Sequence, residues 1–371
     1  VIFGGRSGEH EVSLVSAQSV MSAINKDKYE VIPIGIDKGG RWLTSGEPMR
    51  ELKAALATPP PALAASFEPT IQPTAETRDL IPGTAEHGIP SMDVLFPVLH
   101  GPFGEDGTVQ GLLELANLPY VGSGVLGSAL GMDKIVMKSV FRDAGLPVVP
   151  AIAVLRRDWE SRPEEIVAQV NRELGYPCFI KPANLGSSVG ISKAHNADEL
   201  PAAINLASSF DRRILVEQAV DAREIECSVL GNDAPIASVL GEILPKREFY
   251  DYQAKYGDED TELIIPAPLP TAKGREIQEL AVRAFQALDC AGMARVDFFL
   301  SRQSGQVYVN EVNTIPGFTS ISMYPKLWEA SGLPYPELID RLISLALERF
   351  EDKQRNRTSY TDQPTSGEGK P

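Results

Sequence analysis

Cysteine is scarce in this chain of 371 residues: Cys178, Cys227 and Cys290 are an odd number, widely spaced, with no CxxC pair. That argues against a disulfide framework and reads as reduced core thiols of a cytoplasmic protein. Histidines are few, and His10, His87 and His195 have no ligand-like spacing, which argues against zinc. Basic residues fall short of acidic ones, 35 against 50, for a formal net charge of −15. Nucleic-acid surfaces need a basic stripe and membrane anchors a polybasic patch, so neither partner is expected. No apolar run approaches the ~20 residues that span a bilayer, and no basic-then-apolar leader opens the chain. Two nucleotide fingerprints are missing as well. GxxxxGK[ST] has no match, and Phe3 stands where the first glycine of GxGxxG belongs ahead of Gly5 and Gly8. Neither a P-loop NTPase nor a dinucleotide dehydrogenase is supported.

What is present has globular proportions, 43% hydrophobic and 23% charged, at a length that suits two or three domains. Val1-Ile2-Phe3 reads as a strand lacking its first residues, with Gly4 to Ser13 as the turn after it. Leu14, Ala17, Val20, Met21 and Ile24 then fall on one helical stripe. Further strands over Val31–Ile36 and Asp93–Leu99 predict an α/β unit over 1–122 with a parallel, doubly wound sheet. Seven prolines without periodicity mark 58–90 as a surface insertion. A second unit, 123–217, holds a helix over Val125–Ala144, a strand at Cys178–Lys181, a Gly/Ser loop at Asn184–Gly190 and a strand ending at Glu217. A third, 218–350, holds strands at Glu224–Leu230, Ile236–Ile243 and Met293–Leu300, then a hairpin. The polar tail 351–371 is expected to be disordered.

Chemistry concentrates in a few segments. Lys181-Pro-Ala-Asn-Leu-Gly-Ser-Ser-Val-Gly190 follows a strand with a lysine and a small-residue loop. It reads either as a phosphate cradle of backbone N–H groups and hydroxyls or as a solvated turn. In the hairpin, a turn at Gln303-Ser304-Gly305 places Asp297 opposite Glu311 and Arg295 opposite Asn313. Strand alternation puts those four polar residues on one face, with Val296, Phe298, Tyr308 and Val312 on the other. Opposed carboxylates repel, yet oxygen ligands on adjacent strands are what Mg²⁺ takes beside substrate phosphates. A solvated hairpin with a cross-strand ion pair is the plainer reading, and the one-sided polar face favours metal. Asn313–Ser322 would set backbone amides and hydroxyls beside that site. Phe249–Tyr256, between Pro245 and Pro266, has the mixed aromatic and charged content of a lid. Gly4–His10 and His100–Gly107 follow strands of the first unit, where α/β folds bind ligands.

With those residues in view, the chain resembles the D-alanine–D-alanine ligases of the ATP-grasp superfamily. The matching stretches are GGRSGEHEVSL (4–14), HGPFGEDGTVQGLLE (100–114), GMDK (131–134), KPANLGSSVGISK (181–193), LVEQAVDAREIECSVL (215–230), FYDYQAKY (249–256), ARVDFFL (294–300) and NEVNTIPGFTSIS (310–322). All eight arrive in family order. The resemblance implies an ATP-grasp fold behind a Rossmann-like N-terminal domain, and ATP-dependent ligation of two D-alanines through a D-alanyl phosphate for peptidoglycan synthesis. It implies that Lys134 and Lys181 contact ATP, that the backbone of Glu217, Gln218, Ala219 and Val220 holds adenine, and that Glu224 holds the ribose. Ser187 and Ser188 would close over the phosphates. Asp297, Glu311 and Asn313 would bind two Mg²⁺ or Mn²⁺, with Glu311 bridging. Glu9, helped by the loop at His100, would anchor the first D-alanine's ammonium. Arg295 and the Gly317 amide would form the oxyanion site. Ser322 and Lys255 would hold the second carboxylate and the transferred phosphate, and Tyr256 would join a Glu9–Ser187 network and close the lid. By family analogy alone it would form a homodimer. D-alanine–D-lactate ligation, another ATP-grasp carboxylate–amine reaction and a non-catalytic ATP sensor are the alternatives. Tyr256, the GGRSGEHEVS and NTIPGFTSIS stretches, and the complete metal-ligand set argue against each in turn.

Overall fold

The computed structural model describes residues 1–44, 46–56, 92–186, 188–244 and 262–357. Short apolar segments near glycine and proline make the first sheet: β1 (Ile2–Gly4), β2 (Ile34–Ile36), β3 (Trp42–Leu43) and β4 (Pro97–Val98), ordered β3-β2-β1-β4. β1 is parallel to β2 and β4, as the strand–helix alternation predicts, but β3 returns antiparallel at the edge. Two strands are shorter than expected. Pro33 offers no N–H to a ladder, and β2 starts only after it. Leu95 makes a lone bridge to Tyr120. α1 (His10–Ala23) buries the predicted stripe at Leu14, Ala17 and Val20, with Ile24 just beyond, while Met21 is half-buried. α2 (Pro48–Leu56) and α3 (Thr108–Leu115) complete this layer.

The helix expected over Val125–Ala144 is two helices, α4 (Val125–Met132) and α5 (Lys134–Asp143). Asp133 between them is extended, and its carboxylate accepts from the N–H groups of Ile135 and Val136 at 3.1 and 3.0 Å. That cap starts a new helix where the helical stripe alone reads as continuous. Next comes an antiparallel sheet of β5 (Ala151–Leu155), β6 (Cys178–Pro182), β7 (Ser192–Ala194) and β8 (Arg213–Gln218), ordered β5-β8-β6-β7. It is backed by α6 (Arg156–Ser161), α7 (Pro163–Glu173) and α8 (Leu200–Phe210).

The third sheet is also antiparallel: β9 (Ala222–Gly231), β10 (Ile236–Leu244), β11 (Glu262–Ile264), β12 (Gly292–Ser301) and β13 (Val307–Asn313), ordered β11-β10-β9-β12-β13. Its apolar face is covered by α9 (Thr271–Ala287) and by α5, whose Met137 and Phe141 share a core with Ile225, Val296 and Val309. α10 (Met323–Ala330) and α11 (Tyr335–Gln354) follow. α11 carries Leu338, Leu342 and Ile343 back into the core formed with Leu14 and Ala17 of α1. It also runs past residue 350 to Gln354, because exposed Glu351, Lys353 and Gln354 are good helix formers. The 58–90 insertion and the tail beyond 357 lie outside the described residues.

Candidate active site

The β12–β13 hairpin brings together the residues expected of it. Arg295 lies opposite Asn313, and Asp297 opposite Glu311. The route differs from the expected one. The loop spans four residues, 302–305, with Gly305 at φ +69 as its last member, and the pairing nearest it sets Leu300 against Val307. An extra residue at Asn310 then shifts the register so that Asp297 meets Glu311. One earlier assignment changes with it: Tyr308 lies opposite Phe299 on the polar face, and Val307 and Val309 are the core residues. Arg295 donates from Nε and Nη2 to the two oxygens of Asp297 at 2.7 and 2.8 Å, and its Nε lies 3.0 Å from Glu226 Oε2. Asn313 Nδ2 donates to Asp297 at 3.0 Å. Although burial alone opposes the charge, Asp297 and Glu226 hold the Arg295 guanidinium protonated well beyond its ordinary range.

Across from this face stand the lysines. Lys181 Nζ donates to Glu217 Oε2 at 2.6 Å, and Lys138 Nζ lies 2.5 Å from Glu217 Oε1, with Glu217 only 1% exposed. Burial works against charge on all three groups. It lowers the Lys138 pKa; carboxylates at Glu217, Glu311 and Glu224 outweigh it at Lys181, which is raised; the two lysines outweigh it at Glu217, which is lowered. Lys134 donates to the Leu185 carbonyl at 2.5 Å, tying the start of α5 to the Gly/Ser loop. Asp211 anchors that loop by accepting from the N–H and Nδ2 of Asn184 at 2.9 and 3.0 Å. Ser188 sits in it at φ +60. Glu217 ends β8, Gln218 is exposed, and Ala219, Val220 and Glu224 are half-buried.

Glu9 immediately precedes α1 and is buried, its N–H donating to Ser7 Oγ while Ser7 Oγ donates to the His100 carbonyl. Its carboxylate lies between two glycines: a Cβ on Gly101 would come 2.5 Å from Oε2, and one on Gly186 would come 3.0 Å from it. Glu105 is close by, and burial followed by the charge of Glu9 pushes its pKa well above the usual carboxylate range. His100 is buried, with Nδ1 against the Ile315 carbonyl at 3.0 Å and Nε2 against Ser16 Oγ at 3.2 Å. Desolvation lowers its pKa, so the ring is neutral, and the carbonyl partner assigns the proton to Nδ1. These contacts make His100 part of a hydrogen-bond network that joins its loop to α1 and to the 313–322 segment. Ser16 also accepts from the Phe318 N–H at 3.4 Å, which ties α1 to the 313–322 segment. Gly317 lies against Ser322, whose Oγ accepts the Thr319 N–H at 3.1 Å.

Ser187, Lys255 and Tyr256 lie outside the described residues. Three contributors escaped sequence reading. Lys138 had a signal, being four residues after Lys134 on the same face of α5. So did Glu226, two residues after Glu224 on one strand face. Ser16 had none. Among the described residues no three His, Cys, Asp or Glu side chains form a ready metal cage. Two carboxylates and an amide suit Mg²⁺, which completes its shell with phosphate and water oxygens. Among the described residues, Glu9, Glu217, Glu224, Glu226, Asp297 and Glu311 share the site with Lys134, Lys138, Lys181 and Arg295, a set beside which a divalent cation would fit.

A lysine-bearing strand and Gly/Ser loop from one antiparallel sheet, set over a carboxylate hairpin from another with a Rossmann-like layer behind, define an ATP-grasp ligase. The chain matches the family described as D-ala D-ala ligase N-terminus over residues 1–123 and D-ala D-ala ligase C-terminus over residues 140–344. D-alanine–D-alanine ligases of Heliobacterium modesticaldum and Geobacillus kaustophilus are each 53% identical to it, over 96% and 95% of both chains respectively. Among solved structures, the D-alanine-D-alanine ligase of Coxiella burnetii is 37% identical with a TM-score of 0.76, covering 95% of this chain and 96% of that one. The VanG D-Ala:D-Ser ligase of Enterococcus faecalis is 40% identical with a TM-score of 0.78, covering 93% and 98%. The chain belongs to the D-alanine–D-alanine ligase family.

Proposed function

We propose that the residues gathered between the three sheets carry out the family's reaction in the roles set out below. The chain is an ATP-dependent ligase that joins two D-alanines into D-alanyl-D-alanine for peptidoglycan precursors. A free carboxylate is a poor electrophile, so the first D-alanine's carboxylate oxygen attacks the γ-phosphorus of ATP, ADP leaves, and an acyl phosphate forms. The amine of the second D-alanine, once deprotonated, attacks the acyl carbon, and phosphate leaves. Glu9 holds the first ammonium, with Ser7 and the His100 loop fixing its position. Lys134, Lys181 and Ser188 take the phosphates, the backbone at Glu217–Val220 holds adenine, and Glu224 holds the ribose. Arg295 spends Nε and Nη2 on Asp297, so its Nη1 donors join the Gly317 N–H in facing the oxyanion. Ser322 meets the second substrate's carboxylate.

Asp297, Glu311 and Asn313 would hold two Mg²⁺ or Mn²⁺, which neutralise phosphate charge when bound. By resemblance, Ser187, Lys255 and Tyr256 complete the lid and exclude water from the acyl phosphate. No helix among the described residues is long and apolar enough to cross a membrane. The three buried free thiols, with pKa values pushed by burial to about 11 at Cys178 and about 12 at Cys227 and Cys290, fit a reducing cytoplasm. Units at 1–122, 123–217 and 218–350, and a homodimer by family analogy, complete the reading.

The observation that carries it is the single polar face on which Asp297 opposes Glu311 beside Arg295 and Asn313. Glu311→Gln tests it. D-alanine-dependent phosphate release should fall more than about tenfold, a barrier increase above ~1.4 kcal/mol, with the melting temperature nearly unchanged. A variant keeping more than a tenth of the wild-type kcat would overturn the assignment.

A further inference from the structure

β13 switches faces at one residue. Val307 and Val309 lie in the core, as does Val312, so the apolar positions change from odd to even numbers across Asn310. Without that extra residue Asp297 would oppose Asn310, and Glu311 would oppose Val296 and point into the apolar core, because a one-residue slip exchanges the two faces of a strand. The bulge therefore decides whether a carboxylate reaches the site. Around it the outer edge of β13 is met by α5 and the segment just after it. The Val309 N–H donates to the Pro147 carbonyl at 2.8 Å and the Val312 N–H to Met137 Sδ at 3.4 Å. Between them Lys138 Nζ donates to the Asn310 carbonyl at 3.3 Å.

Lys138 is 2% exposed, and its ammonium also lies 2.5 Å from the Glu217 oxygen opposite the one that receives Lys181. A lysine head is costly to bury where an apolar side chain could fill the volume, and here one head reaches both halves of the site. We propose that Lys138 is a positioning residue for the ligation. It clamps the Asn310 bulge that turns Glu311 toward Asp297, and it fixes the Glu217 carboxylate that aims Lys181 at the phosphates. The proposal rests on reading Asp297, Glu311 and Asn313 as the divalent-cation site.

Lys138→Met keeps the stem's bulk and leaves Glu217 paired with Lys181, so no buried charge is stranded. The test uses the full chain, with Mn²⁺ binding in the presence of ADP followed by electron paramagnetic resonance, alongside the melting temperature and the KM for D-alanine. Lys138→Met should weaken Mn²⁺ binding at least tenfold and leave the KM for the first D-alanine within twofold. Lys138→Arg, which keeps charge and donors, should bind Mn²⁺ within threefold of wild type. If the Met variant does not fold, Lys138→Gln takes its place with the same thresholds. Asp297→Asn separates the two readings. If Asp297→Asn weakens Mn²⁺ binding and the neutral Lys138 variant does not, the Lys138 proposal fails alone. If Asp297→Asn leaves Mn²⁺ binding intact, the metal site fails and the proposal with it. Equal losses for Mn²⁺ and D-alanine with a lowered melting temperature would mark Lys138 as packing only and overturn it too.

Discussion

Glu9 shows how closely single residues are fitted. Its carboxylate fills the space that a methyl group on Gly101 or Gly186 would occupy, and Gly101 also needs its φ of +76. Gly101→Ala should therefore displace the carboxylate and raise the KM for D-alanine while leaving the KM for ATP nearly constant. Glu9→Gln should do the same for one of the two D-alanines, and equal effects on ATP and D-alanine would instead point to a folding role for the 4–13 loop. His100 gives a pH signature. Its folded pKa is depressed by burial below the ordinary 6.5, so the unfolded chain binds more protons near that pH. Its contribution is present above about pH 6.5 and is lost as pH falls toward the folded pKa. The melting temperature of the wild type should drop between pH 7.5 and 5.5 more steeply than that of His100→Gln; parallel slopes would refute a neutral, buried imidazole.

At the scale of elements, the hairpin pairing was legible, though for an incomplete reason. A three-residue turn predicts the right partners at Asp297 and Arg295, whereas the molecule uses a four-residue turn and a bulge that cancel. The clue was the broken valine alternation at 307, 309 and 312, which alone places Tyr308 correctly. The break between α4 and α5 was hidden because Asp133 sits within an otherwise helical run and acts through a cap and an ion pair with Arg213, a distant residue. Asp133→Ala should cost at least the ~0.5–2 kcal/mol of a lost cap in denaturant unfolding. A change below that range would mean that the cap does not hold α5 in place.

Across the whole molecule, what the sequence hid was distance. Glycine-rich loops, lysine strands and the carboxylate hairpin announce themselves locally, but the burial of α5 under the third sheet and of α11 against α1 depends on contacts between segments far apart in the chain. The 313–322 segment is held by this closure. Phe318, fully buried, packs with ring centroids 5.8, 5.7 and 5.6 Å from Phe96, Tyr324 and Tyr335, and Tyr335 of α11 donates to its carbonyl at 2.7 Å. Phe318→Ala should cost ~3–5 kcal/mol of stability and, in the folded fraction, raise the KM for the second substrate, whose proposed contact Ser322 lies on that segment.

The reaction itself is tested most directly by following phosphate release from ATP and Mg²⁺ with D-alanine, D-serine and D-lactate, singly and mixed, and weighing the products by mass spectrometry. D-alanine alone should support release, with one phosphate per D-alanyl-D-alanine, and the dipeptide should remain the main product at neutral pH when D-serine or D-lactate is added in equal amount. Release that does not depend on D-alanine, or a mixed product that outweighs the dipeptide, would contradict the account.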